Sequence, residues 1–156
     1  MAVTNRLLLV LSVALLVGTS CGNNKSSTTS GTESTTSEPT ASNNPKGIGK
    51  HTNVELTHPL DEKMVGEGKG IYDMKCASCH KLTGEKLVGP GWHGVTDRRT
   101  PEWIMNFTTN VDEMIEKDTA AQRLLEECLV RMPNQNLSDG DARSVLEFMR
   151  KNDGKN

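Results

Sequence analysis

The sequence predicts an all-α domain, and three observations predict it. Apolar residues beyond about position 60 recur at the spacing of one helix face. The segments that carry this period open on Asp, Thr or Ser and are separated by stretches rich in Gly and Pro. No convincing strand and no internal repeat is evident.

The elements follow in order. Arg6 precedes an apolar run, Leu7 to Val17, and then Gly18-Thr19-Ser20-Cys21. That run is shorter than the ~20 residues of a spanning helix, so residues 1–20 read as an export signal. A small-residue segment ending in cysteine resembles a bacterial lipoprotein signal, in which Cys21 would be lipidated. An ordinary cleaved signal and an uncleaved anchor are the alternatives. Residues 21–46 are then the lipidated cysteine and a flexible tether, nearly all Ser, Thr, Asn and Gly. Such a segment has almost nothing to bury against the entropy of ordering. As a coil its ends would lie on the order of 25–30 Å apart.

One small domain remains, residues 47–156, with its core over about 61–152. It holds 15 Lys and Arg against 18 Asp and Glu, a formal charge of −3. Nothing in that balance points to nucleic acid.

Asp61 to Met74 reads as a helix, with Asp61 as cap and Met64, Val65, Gly68, Ile71 and Tyr72 at helical spacing. Lys81 to Arg99 is Gly-rich with Pro90 and reads as a loop. Thr100-Pro101-Glu102 starts a helix bearing Trp103, Ile104 and Phe107. A short turn of helix is expected from 110 or 111 to 115. Asp118 caps the next helix, where Ala121, Leu124, Leu125, Cys128 and Leu129 share a face and Pro133 marks the end. Ser138 caps the last helix, which buries Val145, Leu146, Phe148 and Met149.

Between the first helix and the loop stands Cys76-Ala77-Ser78-Cys79-His80. C-x-x-C-H is the pattern of covalent c-type haem attachment. Two thiols add to the two vinyl groups, and the adjacent histidine falls beneath the iron as an axial ligand. A C-x-x-C pair alone would also suit a thioredoxin-like motif, half a zinc site or a disulfide. There is no second Cys/His pair at zinc spacing, no strand–helix alternation surrounds the motif, and the chain opens on an export signal. One covalent haem c would also supply apolar volume to a domain poor in aromatics.

A six-coordinate haem needs a second axial ligand, and a thioether favours ferrous iron. Met132 precedes Pro133 in a loop between two helices, outside any helical stripe, and is the candidate. Met64, Met74 and Met149 sit at helical spacing and read as core, while Met105 and Met114 stay open. His51 and His58 lie before the first helix and read as solvated. His93 reads as a polar loop residue near the haem edge.

At this point the chain resembles small monohaem cytochromes c with His/Met ligation, over about residues 61–152. Four features carry the resemblance. Gly68 and Tyr72 stand before the motif; the motif itself follows; then come Val88-Gly89-Pro90, and last Arg131-Met132-Pro133 with Leu137-Ser138-Asp139 and a closing helix bearing Phe148. The resemblance implies a cytochrome c-like helical domain wrapped around one haem. It implies that the first helix crosses the last closely at Gly68, and that the Pro90 carbonyl accepts a hydrogen bond from His80.

Beside the resemblance, Arg98 or Arg99 could pair with a haem propionate, or be solvated. Trp103 could donate its indole N–H to a propionate or simply pack in the core. Cys128 reads as a buried free thiol. The acidic run Asp112, Glu113, Glu116, Asp118 reads as a solvated face that could orient the domain towards a basic partner.

The expected function is single-electron transfer without catalysis, on the periplasmic side of a bacterial membrane. Electrons would come from a quinol-oxidising complex or a soluble donor and pass to a terminal reductase or an oxidase. The stretches around Gly89–Val95 and Arg131–Leu137 are also similar to lipoprotein cytochromes associated with nitrous oxide reduction. The alternative is a haem enzyme or ligand sensor, peroxidase-like, with a labile distal methionine.

Overall fold

The structure is a computed structural model, and it describes residues 41–156. The export signal, Cys21 and most of the tether lie outside the described residues. Among the described residues six α-helices follow one another: α1 (Glu62–Ile71), α2 (Val95–Arg98), α3 (Pro101–Thr109), α4 (Val111–Lys117), α5 (Thr119–Cys128) and α6 (Asp139–Asn152). No strand occurs among the described residues; there are two isolated bridges, Ser42 with Asp118 and His80 with Lys86.

Four of these helices, α1, α3, α5 and α6, start where a side-chain cap places them. The Asp61 carboxylate accepts from the Lys63 and Met64 N–H groups. Thr100 accepts from the Trp103 N–H, with Pro101 in the first turn. Asp118 accepts from the Ala121 N–H. Ser138 and Asp141 form a reciprocal capping box.

α1 and α6 make the principal helix pair. Gly68 is the reason they can. A β-carbon there would lie 2.0 Å from the Ser144 carbonyl oxygen, so only hydrogen fits at the crossing. Four residues on, the Tyr72 ring packs on Phe148 at 5.6 Å between centroids. Val145, Leu146, Phe148 and Met149 are all buried, as their spacing predicted. They meet Trp103, Ile104, Met105, Val111, Met114 and Ile115 in one core.

Four expectations are corrected. The stretch 81–99 is not all loop: Gly94, at φ 72°, turns the chain into α2. Both Asp153 carboxylate oxygens accept from this turn, at the Gly94 N–H (2.6 Å) and the Thr96 N–H (2.8 Å). α5 ends at Cys128, not at Pro133, because Leu129 adopts a left-handed conformation (φ 59°). Leu129 is therefore 85% exposed and off the shared apolar face. His51 is not solvated. Its side chain is 13% exposed, and its Nε2 lies 3.3 Å from Asp139 Oδ1 without the alignment of a hydrogen bond. Finally, ordered contacts begin ahead of residue 47. Ser42 exchanges backbone hydrogen bonds with Lys117 and Thr119. Residues 42–60 form a strap held at its centre by buried Asn106, whose Oδ1 accepts from the His51 N–H and whose Nδ2 donates to the Lys46 and His51 carbonyls.

Candidate functional site

α1 does not stop at Ile71; it loosens into one π turn, Tyr72–Cys76, and the Cys-x-x-Cys-His residues continue the coil. The Cys79 and His80 N–H groups both donate to the Cys76 carbonyl, at 3.0 and 2.9 Å. This turn places the two cysteines and the histidine together at the end of the first helix. Cys76 is buried, Cys79 half-buried, and neither takes part in a disulfide.

The His80 ring is oriented from two sides. Its Nδ1 lies 2.9 Å from the Pro90 carbonyl oxygen, which can only accept, so Nδ1 carries the proton and Nε2 keeps its lone pair. The Gly89 N–H donates to the Cys79 carbonyl and draws the loop against the ring. A β-carbon at Gly89 would lie 2.3 Å from His80 Cε1, so the ring uses the space that glycine leaves. The Tyr72 hydroxyl donates to the His80 carbonyl at 2.7 Å. Burial holds the imidazole below its usual pKa, against the Pro90 hydrogen bond, which favours the charged form.

Two clefts open in front of this ring. One is walled by apolar side chains including Val88, Ile115, Leu125 and Val130. The other contains Arg98, Arg99, Trp103 and Met149. His80, Pro90, Phe107, Leu124 and Met132 line both, so the clefts meet between the proximal loop and the methionine loop. Met132 is half-buried and packs against the core, whereas Met64 and Met74 border a groove between α1 and α6 elsewhere; Met74, expected in the core, is 78% exposed because it falls on the outer side of the π turn's coil. Met105, Met114 and Met149 are buried in the core. The residues chosen from sequence at positions 76, 79, 80, 90 and 132 are thus brought to one place.

The family described as "Cytochrome c" matches residues 65–153 of the chain. The chain belongs to the cytochrome c family. A cytochrome c from Rhodothermus marinus is 31% identical, with a TM-score of 0.67, over 70% of this chain and 94% of its own. An engineered form of the Rhodothermus marinus cytochrome is 28% identical, also at TM-score 0.67, over 72% of this chain and all of its own. A search of curated protein sequences found no match. As a family member this cytochrome carries one covalent haem c and is a haem-based electron carrier.

The residues present fit that group. Two cysteines outside any disulfide stand at the right spacing, an imidazole points an unprotonated nitrogen away from its hydrogen-bonded side, and the cleft beyond is apolar. At the rim of this cytochrome the basic residues divide. The Arg98 guanidinium donates to the His93 carbonyl at 2.7 Å and approaches the Gly91 carbonyl at 3.5 Å. It therefore braces its own loop. Arg99 stacks over the Trp103 ring, 4.6 Å from its centroid, and lines the second cleft. The Trp103 indole N–H donates to Asp118 at 3.1 Å, so it serves the core.

Two further expectations shift, at Cys128 and in the acidic run, while His93 is the polar loop residue that the sequence suggests. Cys128 is half-buried, not buried, and lines the first cleft; burial raises its thiol pKa, with Lys86 lowering and Glu127 raising it. His93 is exposed, while its neighbour Trp92 is buried and packs 5.8 Å from the His80 ring. Sequence reasoning passed over Trp92, though a tryptophan two residues after a Gly-Pro turn was a usable signal. The acidic run on α4 is largely compensated. Asp112 pairs with Arg131 and Glu113 with Lys117, and Asp118 is buried as a cap.

Proposed function

We propose that this cytochrome is a membrane-tethered single-electron carrier in which His80 and Met132 are the axial ligands. It passes electrons to a terminal reductase, of which nitrous oxide reductase is one candidate, or to an oxidase. The observation that carries the reading is that His80, with Nδ1 committed to Pro90, lines the same two clefts as Met132. When bound, the haem supplies one iron that accepts and releases a single electron. The chain does the rest. Cys76 and Cys79 hold the group by thioether bonds. Pro90 and Gly89 fix the plane of the proximal imidazole. Phe107, Ile115, Leu124 and Leu125 exclude water. Met132 would supply the second ligand to the iron as a thioether, which favours transfer over a peroxidase-like or sensing role.

Arg98 and Arg99 both line the second cleft, and Arg99 is the better partner for a propionate because two of the Arg98 N–H groups already face the His93 and Gly91 carbonyls. Lipidation at Cys21 would hold the domain on the periplasmic side of the membrane, and the polar segment after it would give reach towards a quinol-oxidising complex or soluble donor. A methionine–iron charge-transfer band in the red is expected from the ferric protein; a high-spin spectrum would favour the enzyme reading. Stopped-flow reoxidation of the ferrous protein by purified nitrous oxide reductase and by a terminal oxidase separates the destinations. Slow transfer to both would sink the proposed role.

A further inference from the structure

The loop that presents Met132 has almost no backbone support. Residues 130–137 make no backbone–backbone hydrogen bond with the described residues; the nearest are Leu129 N–H to Leu125, before the loop, and Ala142 N–H to Ser138, after it. Its internal bonds are short-range: the Asn136 N–H donates to Asn134 Oδ1, and the Gln135 amide donates to the Pro133 carbonyl. Two cations tie it to the rest of the domain. Arg131 reaches Asp112 Oδ1 at 2.8 Å, with both side chains largely exposed. Lys75 Nζ donates to the Gln135 carbonyl at 2.9 Å. Lys75 is the residue immediately before Cys76, on the π turn. One hydrogen bond therefore joins the attachment motif directly to the methionine loop, three residues beyond Met132.

The two ties are unequal. Both are exposed, but they differ in kind: a surface ion pair is screened by water and contributes little. A charged donor on a backbone carbonyl that has no other partner is the stronger kind of hydrogen bond. Lys69, one and a half turns earlier on α1, offers a comparison, since its ammonium binds Asp73 on the same helix and touches no loop.

We infer that Lys75 is a positioning residue for the distal ligand: its hydrogen bond to the Gln135 carbonyl holds the loop closed and sets how readily Met132 leaves the iron. This rests on Met132 as the ligand. An exogenous base binds only the fraction of molecules in which the methionine has left, so its apparent affinity reports the closing equilibrium.

The test is a titration of the ferric holoprotein with imidazole, followed by loss of the red charge-transfer band. Lys75→Met should bind imidazole about three- to tenfold more tightly, the range of a hydrogen bond that water still reaches. The band should persist in the absence of imidazole. Lys75→Arg, which keeps a donor, should return most of the way to wild type, and Lys69→Met should match wild type. Should Lys75→Met fail to accumulate with haem, Lys75→Gln replaces it. An affinity for Lys75→Met within about twofold of wild type, or an equal change in Lys69→Met, overturns the inference. Met132→Ala separates the two layers. If it leaves both the red band and imidazole affinity unchanged, the ligand assignment itself has failed; if it abolishes the band while Lys75→Met does nothing, only the role of Lys75 has.

Discussion

His80 shows how much a single residue here depends on its neighbours' lack of bulk. Gly89 offers no β-carbon, Pro90 offers a carbonyl and no N–H, and the imidazole settles against both. The attachment cysteines and this histidine were legible in the sequence because their chemistry requires fixed spacing. Pro90 was legible only through the family resemblance. Trp92 carried one mark, its place two residues after the Gly-Pro turn, but no periodicity surrounds it and its packing on Tyr72, 4.9 Å away across the turn, is tertiary. Met132 belongs to this scale too. Its replacement by alanine should lower the reduction potential by on the order of 100 mV, within the ~0.8 V that axial ligands span. Protein-film voltammetry measures this; an unchanged potential would place the distal ligand elsewhere.

Among the elements, the helices were readable and the strap was not. Caps at Asp61, Thr100, Asp118 and Ser138 are local signals, and each behaves as its residue type dictates. The end of α5 was misread because Pro133 is the obvious breaker, while the actual stop is a left-handed leucine that no propensity would choose. The strap has no period and little apolar content. Its order comes from Asn106, a side chain of α3 that supplies one acceptor and two donors to backbone groups 55 to 60 residues away. Asn106→Ala would strand those groups in a buried place and should cost about 2–4 kcal/mol. Urea unfolding would read the loss, and limited proteolysis should find new cuts between residues 46 and 53. A variant as stable as wild type would show that the strap is held by other contacts.

For the molecule as a whole, the charged centre lies in α6. Glu147 is fully buried and accepts from Arg143, Arg150, Thr57 and the Asp61 N–H, so one carboxylate joins the last helix to the chain entering the first. Burial alone would raise its pKa; the hydrogen bonds from Arg143, Thr57, Arg150 and Asp61 outweigh it and hold the group at about 2, below the ordinary 4.5. A carboxyl depressed on folding adds stability above its unfolded value and loses it as pH falls towards the folded one. The contribution, about 3 kcal/mol, should therefore be present at neutral pH and disappear between roughly pH 4.5 and 2. Thermal melts across that range should show a steep acid limb in the wild type and a flatter one in Glu147→Gln. The variant should also be less stable at pH 7 by about 3–5 kcal/mol, because it leaves two arginines without their counter-charge. Parallel acid limbs would remove Glu147 from the account.

By itself the sequence determined the helical class, the capped starts, the attachment motif and the pair of loops that follow it. All of these rest on contacts within a few residues, where residue type and spacing are sufficient. The closing of the strap on Asn106, the ionic knot at Glu147, the turn of Trp92 towards His80 and the reach of Lys75 to Gln135 were decided only by the tertiary structure. Each joins groups far apart in sequence or unmarked by any period, and a polar side chain buried or shared across such a distance acquires its role only from the partners that packing brings to it.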